Sequence, residues 1–441
     1  MDIESLAAQN PWWTDKDTIK NDDKVKKVLE TGGKIQFVLQ EENQVIIGPR
    51  QLGKTTALKY DIYKKITQLG TDPHSIMYYS LDTARSFEVV SDILNSFVTD
   101  DKKRFVYLDE ISFVEGWQRA IKQFLDSAMS KNVVLYITGS SSINLKKELM
   151  PGRKIRFAEF MPLSFRHFLL SFGSAHLKRF LDGNKASGFD DAIRLAKAAV
   201  AYSEEIDKLF AIYINTGGYP DAIFDYIRNG KISEDTYDTH WNAFVSDISK
   251  DHKSAEIATA VIYGILESYS SKINLSSIAR MQGIKSHVTV REYLELLENL
   301  FVSKSIFPVA GKKYVFRKER KVYFNDPFLY NMFAKKTNYI DKSREPKVVE
   351  GILFNHLYRF ANLGKTIAEP KTVVGFYSGK KEVDFVFGEW GLELKWQDSA
   401  GVRDFPKVGI RNRIILSKKT LEYASAENVH IIPLALFLAM L

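Results

Sequence analysis

The stretch Gly48-Pro49-Arg50-Gln51-Leu52-Gly53-Lys54-Thr55 fits the pattern G-x-x-x-x-G-K-[ST] without a mismatch. It follows Val45-Ile46-Ile47, an apolar run typical of a buried strand, and it precedes residues 56–63, which have the spacing of a helix. A glycine-rich loop between a strand and a helix is the context in which this pattern binds phosphate. A chance glycine turn before a helix is the alternative, and it would not require that context.

The loop predicts a site for ATP with Mg²⁺. Glycines let the backbone curl so that successive N–H groups point at phosphate oxygens, and the helix N-terminus adds partial positive charge. We expect Lys54 to reach the β- and γ-phosphates and the Thr55 hydroxyl to ligate Mg²⁺. The residues expected around the phosphates are Gly48, Pro49, Arg50, Gln51, Leu52, Gly53, Lys54, Thr55 and Thr56.

A second apolar run ends in two acidic residues, about 55 positions after Lys54. Residues 104–110 read Arg-Phe-Val-Tyr-Leu-Asp-Glu, which is typical of a buried strand. The carboxyl end of such a strand delivers its side chains to the crevice where phosphates bind. Asp109 is therefore predicted to complete the Mg²⁺ shell. Glu110 is predicted to polarise the attacking water, which indicates hydrolysis and not binding alone.

Two further strands and an aromatic pair belong to the same region. Residues 75–82 and 133–138 are apolar runs that predict strands, and Thr138 or Ser140 at the end of the latter is a candidate sensor of the γ-phosphate. A serine-rich turn is the alternative for these polar residues. Trp12 and Trp13 are expected to pack against the adjacent domain, with contact to a nucleotide base as the alternative.

Length and composition bound the class of protein. A chain of 441 residues indicates several domains, and 45% hydrophobic with 26% charged residues is typical of a folded soluble protein. The absence of cysteine excludes disulfides and thiolate sites, and it suits a reducing, cytoplasmic setting. We find no signal peptide and no stretch long enough to span a membrane. A net charge of +8 permits nucleic-acid binding without establishing it.

The middle of the chain is predicted to be helical and then to change character. Residues 164–254 have helical periodicity, interrupted by Gly217-Gly218-Tyr219-Pro220, which is either a hinge or an ordinary turn. Residues 255–335 have the order helix, turn, helix, strand, basic loop, strand, which predicts a winged helix. Its second helix offers Lys285, His287 and Arg291 to DNA. A spacer or protein-contact module is the alternative.

The C-terminal region contains the pattern Asp…Glu-x-Lys of restriction-endonuclease-like nucleases. Glu393 and Lys395 lie two apart on a predicted strand and share a face, and Asp384 lies on the strand before it. Two carboxylates there would bind Mg²⁺, with Glu350 completing the ligands from a helix. Lys395 would position the water or stabilise charge at the scissile phosphate. Chance grouping of such residues on surface strands is the alternative.

An ordered set of motifs resembles one family. These stretches are Asn10-Pro11-Trp12-Trp13, the phosphate loop, Tyr107-Leu108-Asp109-Glu110, Ile137-Thr138-Gly139-Ser140, Gly152-Arg153 and Met161-Pro162-Leu163-Ser164-Phe165. In this order they resemble archaeal and bacterial AAA+-related ATPases with a C-terminal nuclease-like domain, and the resemblance covers essentially the whole chain. It implies a sheet with the phosphate-loop strand central and a helical lid containing Gly217-Gly218. It also implies that Arg153 is an arginine supplied to a γ-phosphate, with Arg156 or a plain surface role as alternatives.

We therefore predict an α/β protein of four parts. They are a P-loop NTPase (AAA+-like) core, a helical lid, a winged helix and a restriction-endonuclease-like domain, at residues 1–165, 166–254, 255–340 and 341–441. The expected function is ATP hydrolysis coupled to DNA binding, with cleavage or remodelling of DNA in Mg²⁺. DNA and other copies of the chain are the expected partners, and a membrane is not. The alternative is a STAND-like signalling switch whose inactive nuclease-like domain binds a partner. The residues expected to be catalytic are Lys54, Glu110, Arg153, Asp384, Glu393 and Lys395.

Overall fold

The chain folds into two compact units. The first contains Met1–Met161 with Lys365–Pro370, and the second contains Pro162–Gly364 with Lys371–Leu441. The computed structural model describes residues 3–35, 37–84, 86–139, 152–310, 313–316, 319–365, 369, 371 and 373–441. Ser140 and part of the predicted basic loop, residues 311, 312, 317 and 318, lie outside the described residues.

The first unit is built on a five-stranded parallel sheet of order β2-β3-β4-β1-β5. β1, the strand before the phosphate loop, lies inside the sheet between β4 and β5; it is second from one edge, whereas the resemblance implied a central strand. Because all pairs are parallel, the carboxyl ends of the strands lie at one edge of the sheet. The strands are β1 (Gln44–Ile47), β2 (Ile76–Ser80), β3 (Arg104–Asp109), β4 (Val133–Gly139) and β5 (Arg156–Glu159).

Apolar packing on this sheet explains why its strands are continuous hydrophobic runs. Parallel strands carry helices on their faces, so both sides of each strand are buried. Leu58 and Ile62, from the helix after the phosphate loop, pack in one core cluster with Tyr107 and Tyr136 of the sheet. The helices of this unit are Ile3–Gln9, Asp23–Glu30, Lys54–Thr67, Phe87–Phe97 and Trp117–Asp126.

The N-terminal segment completes the hydrogen bonding at the edge strand β2. The Asn10 side chain donates to the Tyr78 carbonyl (2.9 Å) and accepts from the Tyr78 amide (2.7 Å). The indoles of Trp12 and Trp13 both donate to the Ile76 carbonyl. An uncovered edge would leave these backbone groups unpaired. The two tryptophans therefore pack against the adjacent domain, which agrees with the structural role predicted for them.

The second unit begins with helices and continues into two short antiparallel strand pairs. β6 (Ser303–Ile306) pairs with β9 (Lys321–Phe324), and β7 (Val309–Ala310) pairs with β8 (Lys313–Tyr314). The helices of this unit are Phe165–Phe172, Ala175–Gly183, Phe189–Ala198, Ser203–Thr216, Pro220–Asn229, Glu234–Lys250, Ala255–Glu267, Leu275–Met281, His287–Asn299, Pro327–Lys336, Arg344–Ala361 and Leu434–Met440.

A six-stranded mixed sheet of order β10-β11-β12-β13-β15-β14 follows in the same unit. β10, β11 and β12 form an antiparallel meander, and β12, β13 and β15 are parallel. The apolar C-terminus forms β15 and then a fully buried helix. The strands are β10 (Gly375–Ser378), β11 (Glu382–Phe387), β12 (Trp390–Lys395), β13 (Asn412–Ser417), β14 (Glu422–Ala424) and β15 (Val429–Pro433).

The glycine pair at residues 217 and 218 forms a tightly held turn between two helices. Gly217 has a positive φ of 54°, and the Gly218 amide donates to Asp326 Oδ2 (2.9 Å). The Gly218 carbonyl accepts from the Leu163 amide (3.0 Å). Burial raises the pKa of Asp326 to about 7. The backbone amides that donate to this carboxyl stabilise its charged form. These contacts favour a fixed turn over the hinge that was the alternative.

We expect alanine at either glycine of this turn to be strongly destabilising. A Cβ on Gly217 would overlap Asp326 Oδ1, and one on Gly218 would overlap the Leu163 carbonyl oxygen. Backbone strain and overpacking together predict a loss of about 3 kcal/mol for Gly217→Ala. Gly183→Ala is the control, because a Cβ there meets open space. Denaturant unfolding checks this, and equal stability of the Gly217 and Gly183 variants would contradict it.

Candidate nucleotide site and carboxylate cluster

The phosphate loop has the backbone geometry that its glycines predict. β1 ends at Ile47 and the next helix begins at Lys54, so the loop lies at that helix's N-terminus. Gly53 has a φ of 89°, a left-handed conformation that favours glycine. A Cβ on Gly48 would overlap the carbonyl oxygen of Phe160, so a larger residue does not fit there. The loop amides and the helix N-terminus together form a site suited to an anion.

Lys54 is buried within this loop, with 6% of its surface exposed. Its ammonium donates to the carbonyl oxygens of Gly48 (3.0 Å) and Pro49 (2.8 Å). Phosphate oxygens make stronger, charge-assisted bonds to an ammonium than neutral carbonyls do. Lys54 therefore lies where a bound phosphate can draw it away from the loop carbonyls.

Asp109, at the carboxyl end of β3, is held by hydroxyl donors from both neighbouring strands. The Thr138 hydroxyl on β4 donates to Asp109 Oδ1, and the Tyr78 hydroxyl on β2 donates to Asp109 Oδ2 (2.9 Å). Burial and then the charge of Asp109 raise the pKa of Tyr78, so the phenol keeps its proton. Both donors are neutral, so the negative charge of Asp109 is oriented but not cancelled.

Glu110 carries two signs of a functional position. Its φ of 56° places a non-glycine residue in the left-handed region, and its Oε2 is buried with no hydrogen-bond partner among the described residues. The left-handed backbone and the unpaired buried oxygen each lower the stability of the folded state by about 1–3 kcal/mol. Thr138 Oγ1 accepts from the Glu110 amide (3.1 Å), so this hydroxyl fixes both acids. Strain and an unpaired carboxylate oxygen suit a group that must engage a reactant.

Sequence reasoning missed Tyr78 and Lys59. The ammonium of Lys59, on the helix after the loop, lies 3.6 Å from the Tyr78 ring centroid and 3.5 Å from Asp22 Oδ2. This cation–π contact packs against the ring whose hydroxyl holds Asp109. The sequence does show a tyrosine, Tyr78, in the strand predicted beside the one that ends in Asp109. Aromatic residues are common in strands, so this tyrosine did not stand out.

The two arginines considered as γ-phosphate ligands are paired within the first unit. Arg153 donates from Nε and Nη2 to the two carboxylate oxygens of Asp126, at 3.0 and 2.6 Å. Arg156 donates to Glu42 Oε1 (3.1 Å). Their role toward a phosphate stays a prediction, and Ser140 lies outside the described residues.

The residues of this site fit ATP with Mg²⁺. The loop offers amides and a buried ammonium to phosphates, and Thr55 and Asp109 offer the oxygen ligands that Mg²⁺ prefers. The unpaired Glu110 oxygen is the group left to act on a water molecule. The site thus offers different side chains to phosphate, to a metal ion and to a water molecule.

The second unit assembles the predicted Asp…Glu-x-Lys residues. The register of β11 against β12 pairs Phe385 with Leu392, which places Asp384 opposite Glu393. The Asp384 amide donates to Glu393 Oε2 (3.3 Å), and the Lys395 ammonium lies 2.8 Å from Glu393 Oε1. The three residues are therefore neighbours, as the hairpin pattern predicted.

Lys321 of β9 lies among the carboxylates of this cluster, and this lysine was not predicted. Its ammonium is 2.7 Å from Glu382 Oε1, 3.5 Å from Glu350 Oε1 and 3.8 Å from Asp384 Oδ1. The Tyr323 hydroxyl also donates to Glu350 Oε1 (2.6 Å). The side chain of Lys321 is 1% exposed. The structure thus differs from the predicted Mg²⁺ site, because the Lys321 ammonium lies within 4 Å of Glu350 and Asp384, two of the three expected carboxylate ligands.

The pKa values of the cluster follow from burial and crowding. Burial, and then the charge of Asp384, raise the pKa values of Glu350 and Glu393 to about 7. Burial alone would lower the pKa of Lys321, but the surrounding carboxylates outweigh it and raise that pKa above the ordinary value. Across the described part of the chain, no group of three His, Asp or Glu side chains is arranged to hold a metal ion.

A basic surface with aromatic residues lies elsewhere in the second unit. Lys285, His287 and Arg291 are exposed, as predicted for the second helix of the pair. His287 and Arg291 line a cavity of about 970 Å³ together with Arg320 and Phe316. Burial lowers the pKa of Arg320; the charge of Arg291 acts in the same direction, and the charges of Glu298 and Glu295 oppose it. Two neighbouring arginines beside an exposed aromatic ring suit a nucleic-acid backbone.

Two sequence families match separate parts of the chain. Residues 40–169 match the family described as AAA domain (AAA_14), and residues 207–339 match a domain of unknown function (DUF8612). An uncharacterized protein of Haemophilus influenzae is 26% identical over 373 residues, covering 80% of this chain and 81% of the relative. The AAA match includes the phosphate loop and the Asp109-Glu110 pair, so it supports a P-loop ATPase.

Among solved structures, the Aeropyrum pernix ORC2 protein in ADPNP–ADP complexes is 12% identical, with a TM-score of 0.36. The match covers 71% of this chain and 92% of that protein. A single-substitution variant of Thermotoga maritima RuvB is 14% identical, with a TM-score of 0.28, and the match covers 69% and 89% of the two chains. Similarity at this level establishes neither function nor assembly.

Within the described residues, no helix is both long and apolar enough to cross a membrane.

We expect Tyr78→Phe to weaken the use of Mg²⁺ in ATP hydrolysis. Loss of the hydroxyl frees Asp109 Oδ2 from its donor, and loss of such a supporting bond costs roughly tenfold or more in metal affinity. Tyr136→Phe is the matched control, because the Tyr136 hydroxyl has no hydrogen-bond partner among the described residues. The Mg²⁺ dependence of the hydrolysis rate measures this. An identical Mg²⁺ requirement in both variants would show that Tyr78 does not orient Asp109.

Proposed function

We propose that this protein binds and hydrolyses ATP in its first unit and binds duplex DNA through its second unit. One observation carries the first part, the strained Glu110 with its buried, unpaired Oε2 beside the hydroxyl-held Asp109. A site that only binds nucleotide has no need of an unpaired carboxylate oxygen. The AAA domain match over residues 40–169 supports this part of the proposal.

Each side chain of the site has one proposed task. The loop amides and Lys54 bind the β- and γ-phosphates, and Thr55 and Asp109 hold Mg²⁺. Mg²⁺ held there would neutralise negative charge that develops on the phosphates. Glu110 orients a water molecule and accepts its proton, while Thr138 fixes the acids relative to each other.

An arginine from another copy of the chain is a further part of this proposal. Arg153 and Arg156 each form an ion pair with a carboxylate, so either must exchange that partner for a γ-phosphate. An arginine that stabilises transition-state charge is commonly supplied by a neighbouring subunit. Assembly into a homo-oligomer would provide one.

DNA binding is supported by the order of elements in the second unit. Three helices, Ala255–Glu267, Leu275–Met281 and His287–Asn299, precede the β6–β9 pair and the β7–β8 hairpin. This is the order of a winged helix, in which the last helix enters the major groove. The exposed side chains of Lys285, His287 and Arg291 would then meet phosphates or base edges.

A signalling switch is the second candidate function, and one observation favours it. Lys321 lies within 4 Å of Glu350 and Asp384, two of the carboxylates that cleavage of DNA would require, so the C-terminal sheet suits binding better than catalysis. Such a switch would hold ATP or ADP tightly and turn over slowly without regard to DNA. The two functions differ in their response to DNA: duplex DNA should stimulate hydrolysis by a DNA-binding ATPase and should not change hydrolysis by a switch.

We predict that Glu110→Gln abolishes hydrolysis while ATP binding is retained. Glutamine keeps the size of the side chain but cannot accept the proton, so turnover should fall at least roughly 100-fold. Lys54→Ala should weaken ATP binding itself by about 10- to 100-fold, because a charged hydrogen bond to phosphate is lost. Binding of a fluorescent ATP analogue and release of phosphate measure the two effects.

The pair of variants makes this test decisive. Wild-type turnover in Glu110→Gln would refute the role of Glu110. Equal ATP affinity in Lys54→Ala and wild type would refute nucleotide binding at this loop.

We predict that Arg291→Ala weakens DNA binding chiefly through phosphate contact. Loss of one such contact should reduce the slope of log affinity against log salt by about one. Arg194→Ala is the control, since Arg194 is an exposed arginine on another helix, ion-paired with Asp191. Fluorescence anisotropy with duplex DNA at several salt concentrations provides the slope. The same slope in the Arg291 and Arg194 variants would mean that DNA binds elsewhere.

A further inference from the structure

We infer that Lys321 is the permanent cation of the C-terminal carboxylate cluster and that its ammonium takes the place a divalent metal ion would need. The cluster is then an ionic lock that joins β9 to the C-terminal sheet. It does not bind a catalytic metal in the wild-type chain. This inference concerns the second unit alone, so it holds or fails independently of ATP hydrolysis.

The carboxylates converge on the lysine from two elements. Glu382 and Asp384 lie two apart on β11 and share one face, and Glu350 reaches the same point from the helix Arg344–Ala361. The ammonium of Lys321 lies within 4 Å of all three carboxylates. A metal ion bound to Glu350 and Asp384 would therefore meet a positive charge inside its own ligand shell. Mg²⁺ also requires oxygen ligands at about 2.0–2.1 Å, which the ammonium would obstruct.

Lys321 has little freedom to leave this position. Its backbone pairs with Ile306 in the β6–β9 ladder, and its side chain is almost fully buried. The ammonium also lies 5.5 Å from the centroid of the Phe376 ring. Lys272 contacts the outer oxygen of Glu382 (2.9 Å), which closes that side of the cluster with a second cation. The lysine is thus built into the core of this unit and is not a mobile surface group.

Glu393, the remaining carboxylate of the nuclease-like pattern, is also paired with a lysine. Lys395 lies 2.8 Å from Glu393, so this lysine neutralises the neighbouring carboxylate. Two lysines thus balance much of the negative charge of the cluster without any metal. We expect the wild-type chain to bind no divalent ion at this cluster and to cleave no DNA there.

Binding of Mn²⁺ to the full-length, nucleotide-free chain tests the inference. Free Mn²⁺ is measured by electron paramagnetic resonance after removal of metals with EDTA, for wild type and Lys321→Met. Methionine keeps much of the length and the apolar stem of lysine without its charge. We expect Lys321→Met to bind about one more Mn²⁺ ion per chain than wild type, because its carboxylates lack a cation. The gain should vanish in the double variant Lys321→Met/Asp384→Asn.

Lys272→Met is the matched control. It removes a lysine bound to the same cluster, but one that contacts only the outer oxygen of Glu382, so it should gain no Mn²⁺. Thermal unfolding gives a second readout. Lys321→Met should melt several degrees lower than wild type in EDTA, and Mn²⁺ should raise its melting temperature by more than it raises that of wild type.

Either of two results would overturn the inference. One is Mn²⁺ binding by wild type that Asp384→Asn abolishes. The other is a folded Lys321→Met variant that gains no Mn²⁺. If Lys321→Met does not fold, Lys321→Met/Glu382→Gln removes one repelling charge and keeps Glu350, Asp384 and Glu393 for the same measurement. If that variant also fails to fold, Mn²⁺ binding that is the same in wild type and Asp384→Asn still supports the lock, and wild-type binding that Asp384→Asn abolishes refutes it.

Discussion

The nucleotide site depends on the burial of β1 between two parallel neighbours. Pairing with β4 on one side and β5 on the other holds the strand that leads into the phosphate loop. The same parallel arrangement brings the ends of β2, β3 and β4 to one edge, where Tyr78, Asp109 and Thr138 meet. The loop and the acidic pair are thus consequences of one sheet, and the N-terminal tryptophans complete the sheet at its β2 edge.

The two acidic sites of the protein are organised in opposite ways. Asp109 accepts hydrogen bonds from neutral hydroxyls, which orient its charge and leave that charge available to a metal ion. Asp384 and its neighbours are instead grouped around the ammonium of Lys321, which cancels charge within the cluster. A buried ion pair is costly to break, because a lone buried charge remains. Similar carboxylates therefore have different surroundings: hydroxyls from the two adjacent strands at Asp109, and the ammonium of Lys321 from a strand of another sheet at Asp384.

Local patterns in the sequence predicted much of this arrangement. The loop at residues 48–55, the acids at 109 and 110, and the opposition of Asp384 to Glu393 follow from spacing along single elements or hairpins. Lys321 could not be predicted in the same way, because it reaches the cluster from a strand about 60 residues before Asp384. Tyr78 was missed for a related reason, since its hydroxyl meets Asp109 only across the sheet. Side-chain partners from separate strands require the fold itself.

The central claim is that ATP hydrolysis in the first unit serves a protein that binds DNA. Steady-state hydrolysis by the full-length wild-type chain, with and without duplex DNA and at low and moderate salt, tests it most directly. We expect Mg²⁺-dependent hydrolysis that duplex DNA stimulates, with the stimulation falling steeply as salt rises. Absence of hydrolysis by the folded protein would contradict the ATPase assignment. Hydrolysis at a rate that DNA does not change would contradict the coupling and favour a signalling switch.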